Sequence, residues 1–495
     1  MKNIAVINAV FTAPQAFRPL AGKESAADAA VAFAGRLPDT ADIAVLTSHD
    51  HKVFAPYRRV KKTDWDGGAL LAALKDLSRG YDNVFYFFAD CPFLDPALAR
   101  RMYENHLKYF SDYTFADGYP VGLAVEIVKS PVFEPLVELC REGDPANRET
   151  LFETLKRDIN AFDLETEISP VDCRMLRVSL TADTNRNVML LERLAAAGAR
   201  DEQSIVRAVK DKPELLRTLP AYFPIQIVEG CPQVCSYCPY PKFGGDISGK
   251  KSEMAPETFR RIVAAIEEFA GDAVIGLSLW GEPALHSAIE ELIGFVCSRE
   301  RMTAVVETSG IGWDLDRFTA AFSGMTNPPD IIVSLDALHE PLYRALRGEG
   351  FQTAVDTARK FLKLFPGRVH VQAVRMQENE EALEEFYREW KKETDRVIIQ
   401  KYNHFAGFLP DRKVTDLSPL TRIPCWHVKR DLPVLIDGTV PLCAVDVEKR
   451  MVLGNVLTDP LSEIWSRGER WYALHVKEEF PTLCGDCDEY YTYNF

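Results

Sequence analysis

The feature that most restricts the fold is a regular alternation of apolar strands and amphipathic helices running from about Phe223 to Tyr402. IQIVEG reads as a strand, PETFRRIVAAIEEFA as a helix opened by proline, AVIGLSL as a strand and ALHSAIEELIGFVCS as a helix. TAVVETS, DLDRFTAAFSG, DIIVSLD, FQTAVDTARKFLKLF, RVHVQAV, NEEALEEFYREWKKE and DRVIIQKY continue the series, giving six strands and five helices. Buried β-branched strands separated by helices imply parallel βαβ units, here enough for a partial or full barrel, with a partial (β/α)6 barrel the expected form.

The stretch before it is also α/β. NIAVINAV, ADIAVLTS and NVFYFFAD read as strands and GALLAALKDLS as a helix. RDEQSIVRAVKDKPELLRTLPAYFP reads as a charged helical connector closed by prolines. After about Gly407 the pattern loses its helices and becomes rich in Pro, Gly and Cys. The expected organisation is an α/β domain at 1–200, a linker at 201–222, the barrel at 223–410 and a small domain at 411–495. There is no low-complexity tract and no short-period repeat.

Fifty-eight basic against seventy-three acidic residues give a net charge of −15, which repels polyanions and argues against a nucleic-acid partner. No apolar run approaches the roughly 18 residues of a membrane span, and IAVINAVF reads as a first strand, not a signal peptide. A cytoplasmic protein with no membrane partner is expected. In that setting eleven cysteines are metal ligands or core thiols before they are disulfides. Cys91, Cys140, Cys173 and Cys297 are isolated and read as small buried hydrophobes. The other seven form two groups: Cys231, Cys235 and Cys238, then Cys425, Cys443, Cys484 and Cys487.

The first group lies in GCPQVCSYCPY, directly after the first barrel strand. Each iron of a 4Fe-4S cube needs one outside ligand, so three thiolates leave one iron open, as catalytic metal sites leave a position for a reactant. Spacing alone leaves a zinc site open as the alternative. The motif, with Tyr237 before its last cysteine, resembles that of radical S-adenosylmethionine (SAM) enzymes. The resemblance implies that SAM chelates the open iron, that an electron from the cluster cleaves it to methionine and a 5′-deoxyadenosyl radical, and that this radical abstracts hydrogen from a substrate.

Later strand ends carry further resemblance. LSLWGEPALH is similar to the family's Gly-Gly-Glu-Pro segment, with Trp280 in place of the first glycine and Gly281, Glu282 and Pro283 retained. VVETSG, ending in Glu307 to Gly310, sits where the family shows Thr-Asn-Gly. VSLDALHEPLYRALRG resembles the strand-four segment, implying Ser334 and Asp336 on the ribose side of SAM and Arg347 as a carboxylate partner. Val371 to Asn379 would supply an apolar contact to adenine. The implied cofactor-binding set is Tyr237, Gly281, Glu282, Pro283, Glu307, Ser334, Asp336 and Arg347. His286, His339, His404, His427 and His475 are dispersed and indicate no competing site.

Cys425-x12-Gly438-x4-Cys443, a Leu-Gly-Asn segment, Trp465 and Cys484-x2-Cys487 are similar to SPASM domains, which carry auxiliary iron-sulfur clusters. Only DEYYTYNF follows Cys487, so the four cysteines would hold one closed 4Fe-4S cluster. Four cysteine ligands on a structural zinc ion are the alternative. At the other end, RPLAGKESAADAAVAFAGRL, FFADCPFLDPALARRM, GYPVGLAVEIVKS and LTADTNRNVMLLERL resemble nucleotidyltransferases of the CMP-sugar synthetase type. This implies Asp90 and Asp183 as magnesium ligands and Arg18 and Lys23 as phosphate contacts. INAVFTAPQAFRPL lacks the family's glycines, so a docking or binding role on a worn-down transferase scaffold is expected.

The whole arrangement resembles the spiro-SPASM family. It implies an oxidoreductase or maturase with two 4Fe-4S clusters and SAM. The substrate would be a peptide, protein or small molecule, and the reductant an external donor such as flavodoxin or ferredoxin. The rival readings are radical chemistry on a sugar or nucleotide-linked substrate, and a nucleotide-sugar-binding or nucleotidyltransferase protein whose clusters are structural.

Overall fold

The computed structural model describes residues 1–20, 24–244 and 250–492 and divides the chain into two units, Met1–Thr218 and Leu219–Phe495. Lys23 lies outside the described residues. The first unit is built on β1 (Asn3–Ala9), β2 (Thr40–Thr47), β3 (Arg58–Lys61), β4 (Asn83–Phe88), β5 (Tyr113–Asp117), β6 (Glu126–Lys129) and β7 (Leu164–Ile168). They form one sheet in the order β3-β2-β1-β4-β6-β5-β7. β1 to β4 are parallel, and β6 runs antiparallel to both β4 and β5. Successive side chains of a strand face opposite sides. Ala5 and Ile7 of β1 accordingly enter one core while Ile4 and Val6 enter another, and helices cover both faces.

In the second unit β8 (Tyr222–Pro224) is followed by a short antiparallel pair, β9 (Val228–Glu229) and β10 (Ser252–Glu253). Then come β11 (Ala273–Gly276), β12 (Met302–Thr308), β13 (Asp330–Ser334), β14 (Val369–Arg375) and β15 (Val397–Lys401). The sheet order β8-β11-β12-β13-β14-β15 is parallel throughout, and β8 does not pair with β15, so the barrel is partial. Helix Pro256–Ala270 shows why the helices pack as they do. Phe259, Ile262, Val263, Ile266 and Ala270 recur at helical spacing and are all buried.

Several boundaries differ from expectation. The first strand ends at Pro224: Ile225 N still donates to Gly276 O of β11 at 2.7 Å, but Gln226 N turns instead to Val434 O at 2.8 Å. Residues 432–434 run beside β8, with Leu432 N to Tyr222 O and Val434 N to Pro224 O both at 2.9 Å, and so cover its open edge. The stretch after Gly407 is not helix-free. Trp426–Arg430, Leu461–Arg467 and Glu469–Val476 are short helices, and Leu461, Ile464 and Trp465 are buried in the same core as the barrel's Ile262 and Ile266. With five, seven and eight residues, these helices are too short for a periodic pattern to stand out in the sequence. Within the expected linker, helix Glu202–Asp211 buries Ile205, Val206 and Val209 in a core of the first unit. All eleven cysteines are free, and Cys140 is partly exposed where full burial was expected.

Candidate active site

The three-cysteine loop leaves β9 through Gly230, whose φ of +120° turns the chain and whose N–H is taken by the Tyr240 hydroxyl at 2.9 Å. The loop is fastened to the end of helix Glu340–Arg347. Val234 N donates to Arg347 O at 3.1 Å and Ser236 N to Leu346 O at 2.8 Å. Buried Gln233, which the sequence offered no reason to single out, donates to Glu349 O at 2.7 Å and accepts from Tyr343 Oη at 3.3 Å. The loop uses the last carbonyls of a helix, groups that need partners from outside the helix.

Cys231, Cys235 and Cys238 line a cavity of about 260 Å³ at the carboxyl ends of the strands, the face where barrel folds carry their sites. Gly281, Glu282, Glu307, Ser334, Tyr237 and Arg347 border it as well. Pro283 instead opens a short buried turn behind Glu282. Asp336 lies one layer deeper. Its Oδ2 accepts from Tyr237 Oη and Arg347 Nη1, both at 2.5 Å, and its Oδ1 from Val374 N at 2.7 Å. Of the Val371–Asn379 segment, Gln372 and Val374 face the cavity.

Buried Glu282 links two of the strand-end segments. Its carboxylate accepts from Thr308 Oγ1 at 2.5 Å, Ser309 N at 2.8 Å and Ser309 Oγ at 2.7 Å, tying the Trp-Gly-Glu-Pro turn to the Thr-Ser-Gly turn. Burial raises its pKa, and those hydrogen bonds oppose the shift. Glu307 faces the cavity, and its Oε1 accepts from Gln372 Nε2 at 2.8 Å and Ser334 Oγ at 3.3 Å. Its side chain is exposed into the cavity, and desolvation by the surrounding protein raises its pKa, with Gln372 and Ser334 opposing. Trp280, at the position of the family's first glycine, packs edge-on against Phe243 with centroids 5.2 Å apart and lies 5.8 Å from Phe405, forming an aromatic wall.

Cys425, Cys443, Cys484 and Cys487 surround a second, closed cavity. Gly438, at φ +80°, closes the turn that leads into β16 (Thr439–Pro441), and a Cβ there would stand 2.5 Å from Asn455 Oδ1 on the paired strand β17 (Val452–Asn455). Two histidines that look dispersed in the sequence stand beside these thiols. His475 Nδ1 accepts from Cys425 N at 3.3 Å, and His427 pairs with Asp431 at 2.6 Å. In the first unit, Asp90 and Asp183 are brought to one place, while Arg18 is exposed.

A family profile described as the Radical SAM superfamily matches residues 225–389, and one described as an iron-sulfur cluster-binding (SPASM) domain matches 425–488. A protein of Treponema pallidum (strain Nichols), itself uncharacterized, is 38% identical over 358 residues, covering 70% of this chain and 98% of that one. The chain belongs to the radical SAM superfamily. It carries a SPASM domain, and membership makes it an enzyme that uses iron-sulfur clusters and SAM.

Among solved structures, Streptococcus suis SuiB bound to precursor peptide SuiA is 13% identical over 68% of this chain and 78% of that one, with a TM-score of 0.42. The cytidylyltransferase of Leptospira borgpetersenii is 16% identical over 43% of this chain and 96% of that one, with a TM-score of 0.38.

The donor chemistry of this radical SAM protein suits such cofactors. Among the described residues no group of three or more His, Cys, Asp or Glu is drawn together for a single ion. A cube takes one thiolate at each of its irons, so its ligands stand apart around a shared space. Burial pushes the Cys231 and Cys487 thiols up to about 12 and Cys484 to about 11. Bound iron supplies the positive charge that such thiolates need. Backbone N–H groups already point at three of the sulfurs, from Gln233 to Cys231 at 3.4 Å, Val445 to Cys443 at 3.5 Å and Glu489 to Cys487 at 3.4 Å. Among the described residues no helix is long and apolar enough to cross a membrane.

Proposed function

We propose that this radical SAM enzyme abstracts hydrogen from a peptide, protein or small-molecule substrate. Cys231, Cys235 and Cys238 would hold the SAM-binding cluster, and Cys425, Cys443, Cys484 and Cys487 one auxiliary cluster. When bound, the first cluster supplies the electron that cleaves SAM, and the adenosyl fragment removes the hydrogen. The chain's own residues bind and orient. Gly281 and Glu282 shape the turn beside the cysteine loop, Ser334 and Glu307 offer polar atoms to a ribose, and Arg347 gives a buried positive charge to the loop. Asp336 positions Arg347 and Tyr237.

The observation that carries this reading is that three cysteines share one cavity with a glycine-glutamate turn and a serine from different strand ends and an arginine from the end of helix Glu340–Arg347. A flavodoxin- or ferredoxin-type donor would deliver the electron, in a cytoplasmic setting that eleven free cysteines favour. Anoxic reconstitution with iron and sulfide, followed by dithionite and SAM, tests it. The expected product is 5′-deoxyadenosine in wild type and none in Cys235→Ala. Equal turnover in both would overturn the assignment.

A further inference from the structure

The first unit holds a polar constellation that the barrel chemistry does not use. Asp90 follows β4, and Asp183 precedes helix Asn185–Ala196. The two loops are joined by Ala182 N donating to Asp90 O at 2.8 Å. The Asp90 side chain is only 2% exposed. Its Oδ1 accepts weakly from Cys91 Sγ at 3.5 Å, and its Oδ2 accepts from Arg148 Nη2. The same Arg148 nitrogen lies 3.9 Å from Asp183 Oδ2, whose other oxygen accepts from Asn187 Nδ2 at 2.8 Å.

Arg148 is held there firmly. Its guanidinium stacks on Phe88 at 4.7 Å. The segment that carries it is anchored on both sides, by Gly67 N to Asp144 O at 2.8 Å and Asn147 N to Thr150 Oγ1 at 2.7 Å. Burial alone would drive the Asp90 carboxyl toward its neutral form, and the guanidinium opposes that shift while Asp183 adds to it.

We infer that Arg148 is the resident cation of this carboxylate pair, and that the first unit therefore takes its ligand without a divalent metal. A magnesium ion would sit about 2.0–2.1 Å from a carboxylate oxygen, in space that Nη2 fills beside Asp90 Oδ2. The guanidinium brings one fixed charge where a metal would bring two. A polyphosphate, whose charge a metal ordinarily balances, is disfavoured, and a neutral or singly positive ligand fits the one negative charge that two carboxylates and one guanidinium leave. This inference is independent of the radical chemistry in the second unit.

The test uses the full-length reconstituted protein and Mn²⁺ as probe, read as loss of the free-ion signal in room-temperature paramagnetic resonance. Wild type and Asp90→Asn should titrate alike. Arg148→Ala, or Arg148→Met to keep the volume, should gain a site at least tenfold tighter than any in wild type. That site should vanish when Asp90→Asn is added. Manganese binding by wild type that Asp90→Asn removes would overturn the inference, and so would a folded Arg148 variant that gains no site. Should both Arg148 variants fail to fold, the comparison of wild type with Asp90→Asn decides it alone.

Discussion

Arg347 and Asp336 meet at 2.5 Å with side chains 5% and 0% exposed, so the proposed SAM site rests on a fully buried ion pair. Tyr237, from the three-cysteine loop, donates to the same carboxylate. Asp336 itself sits at φ +64°, a conformation few residues other than glycine adopt. Removing one partner of a buried pair leaves an uncompensated charge, at a cost of about 3–5 kcal/mol. Asp336→Ala should lower the unfolding midpoint accordingly and reduce iron retained by the first cluster. Asp336→Asn should cost less, because it can still accept the Val374 N–H. Differential scanning calorimetry with iron analysis checks both, and an unchanged midpoint in the alanine variant would refute the role.

Replacing Cys231, Cys235 and Cys238 together by alanine should cut iron from about eight to about four atoms per chain. It should also abolish 5′-deoxyadenosine formation, while the spectrum of the remaining cluster persists. Wild-type protein that binds four irons and one zinc would sink the auxiliary-cluster reading.

Gly281 is held at φ +88°, and a Cβ there would fall 2.4 Å from Val228 O, a backbone atom with no freedom to retreat. Gly281→Ala should therefore push the turn away from the cysteine loop and weaken SAM binding at least tenfold in equilibrium titration. Gly367→Ala is the control. Gly367 has φ +74° with nothing within 4 Å of the new Cβ, so it shares the backbone strain without the collision. Equal SAM affinity in the two variants would contradict the close-approach argument.

Glu126 lies on β6 and accepts from Tyr113 Oη at 2.6 Å. Burial pushes its carboxyl from 4.5 up to about 8, with the tyrosine bond opposing. Between those values the folded chain keeps a proton that the unfolded chain has lost. Stability of the first unit should thus fall as pH rises from about 4.5 to 8, by at most about 1.4 kcal/mol per pH unit from this group. Glu126→Gln should flatten that part of the profile in denaturant melts at pH 5, 6, 7 and 8, and a slope unchanged by the substitution would count against the buried neutral acid.

The sequence by itself determined the barrel and the positions of the residues proposed for its chemistry. Strands such as Asp330–Ser334 and helices such as Pro256–Ala270 announce themselves by local periodicity. The cysteine loop and the Gly-Glu-Pro turn are short, contiguous words whose residue types follow from chemistry within a few positions. Tertiary structure alone decided which of those residues face the cavity and which brace it. Asp336 reads like Ser334 in the sequence, yet its carboxylate is consumed by Arg347 and Tyr237, residues 11 and 99 positions away. Glu282 finds Ser309 from 27 positions away, and Arg148 finds Asp90 from 58. Such pairs leave no local trace, because a buried charge chooses its partner by proximity in space, and only the packed chain brings these side chains within reach.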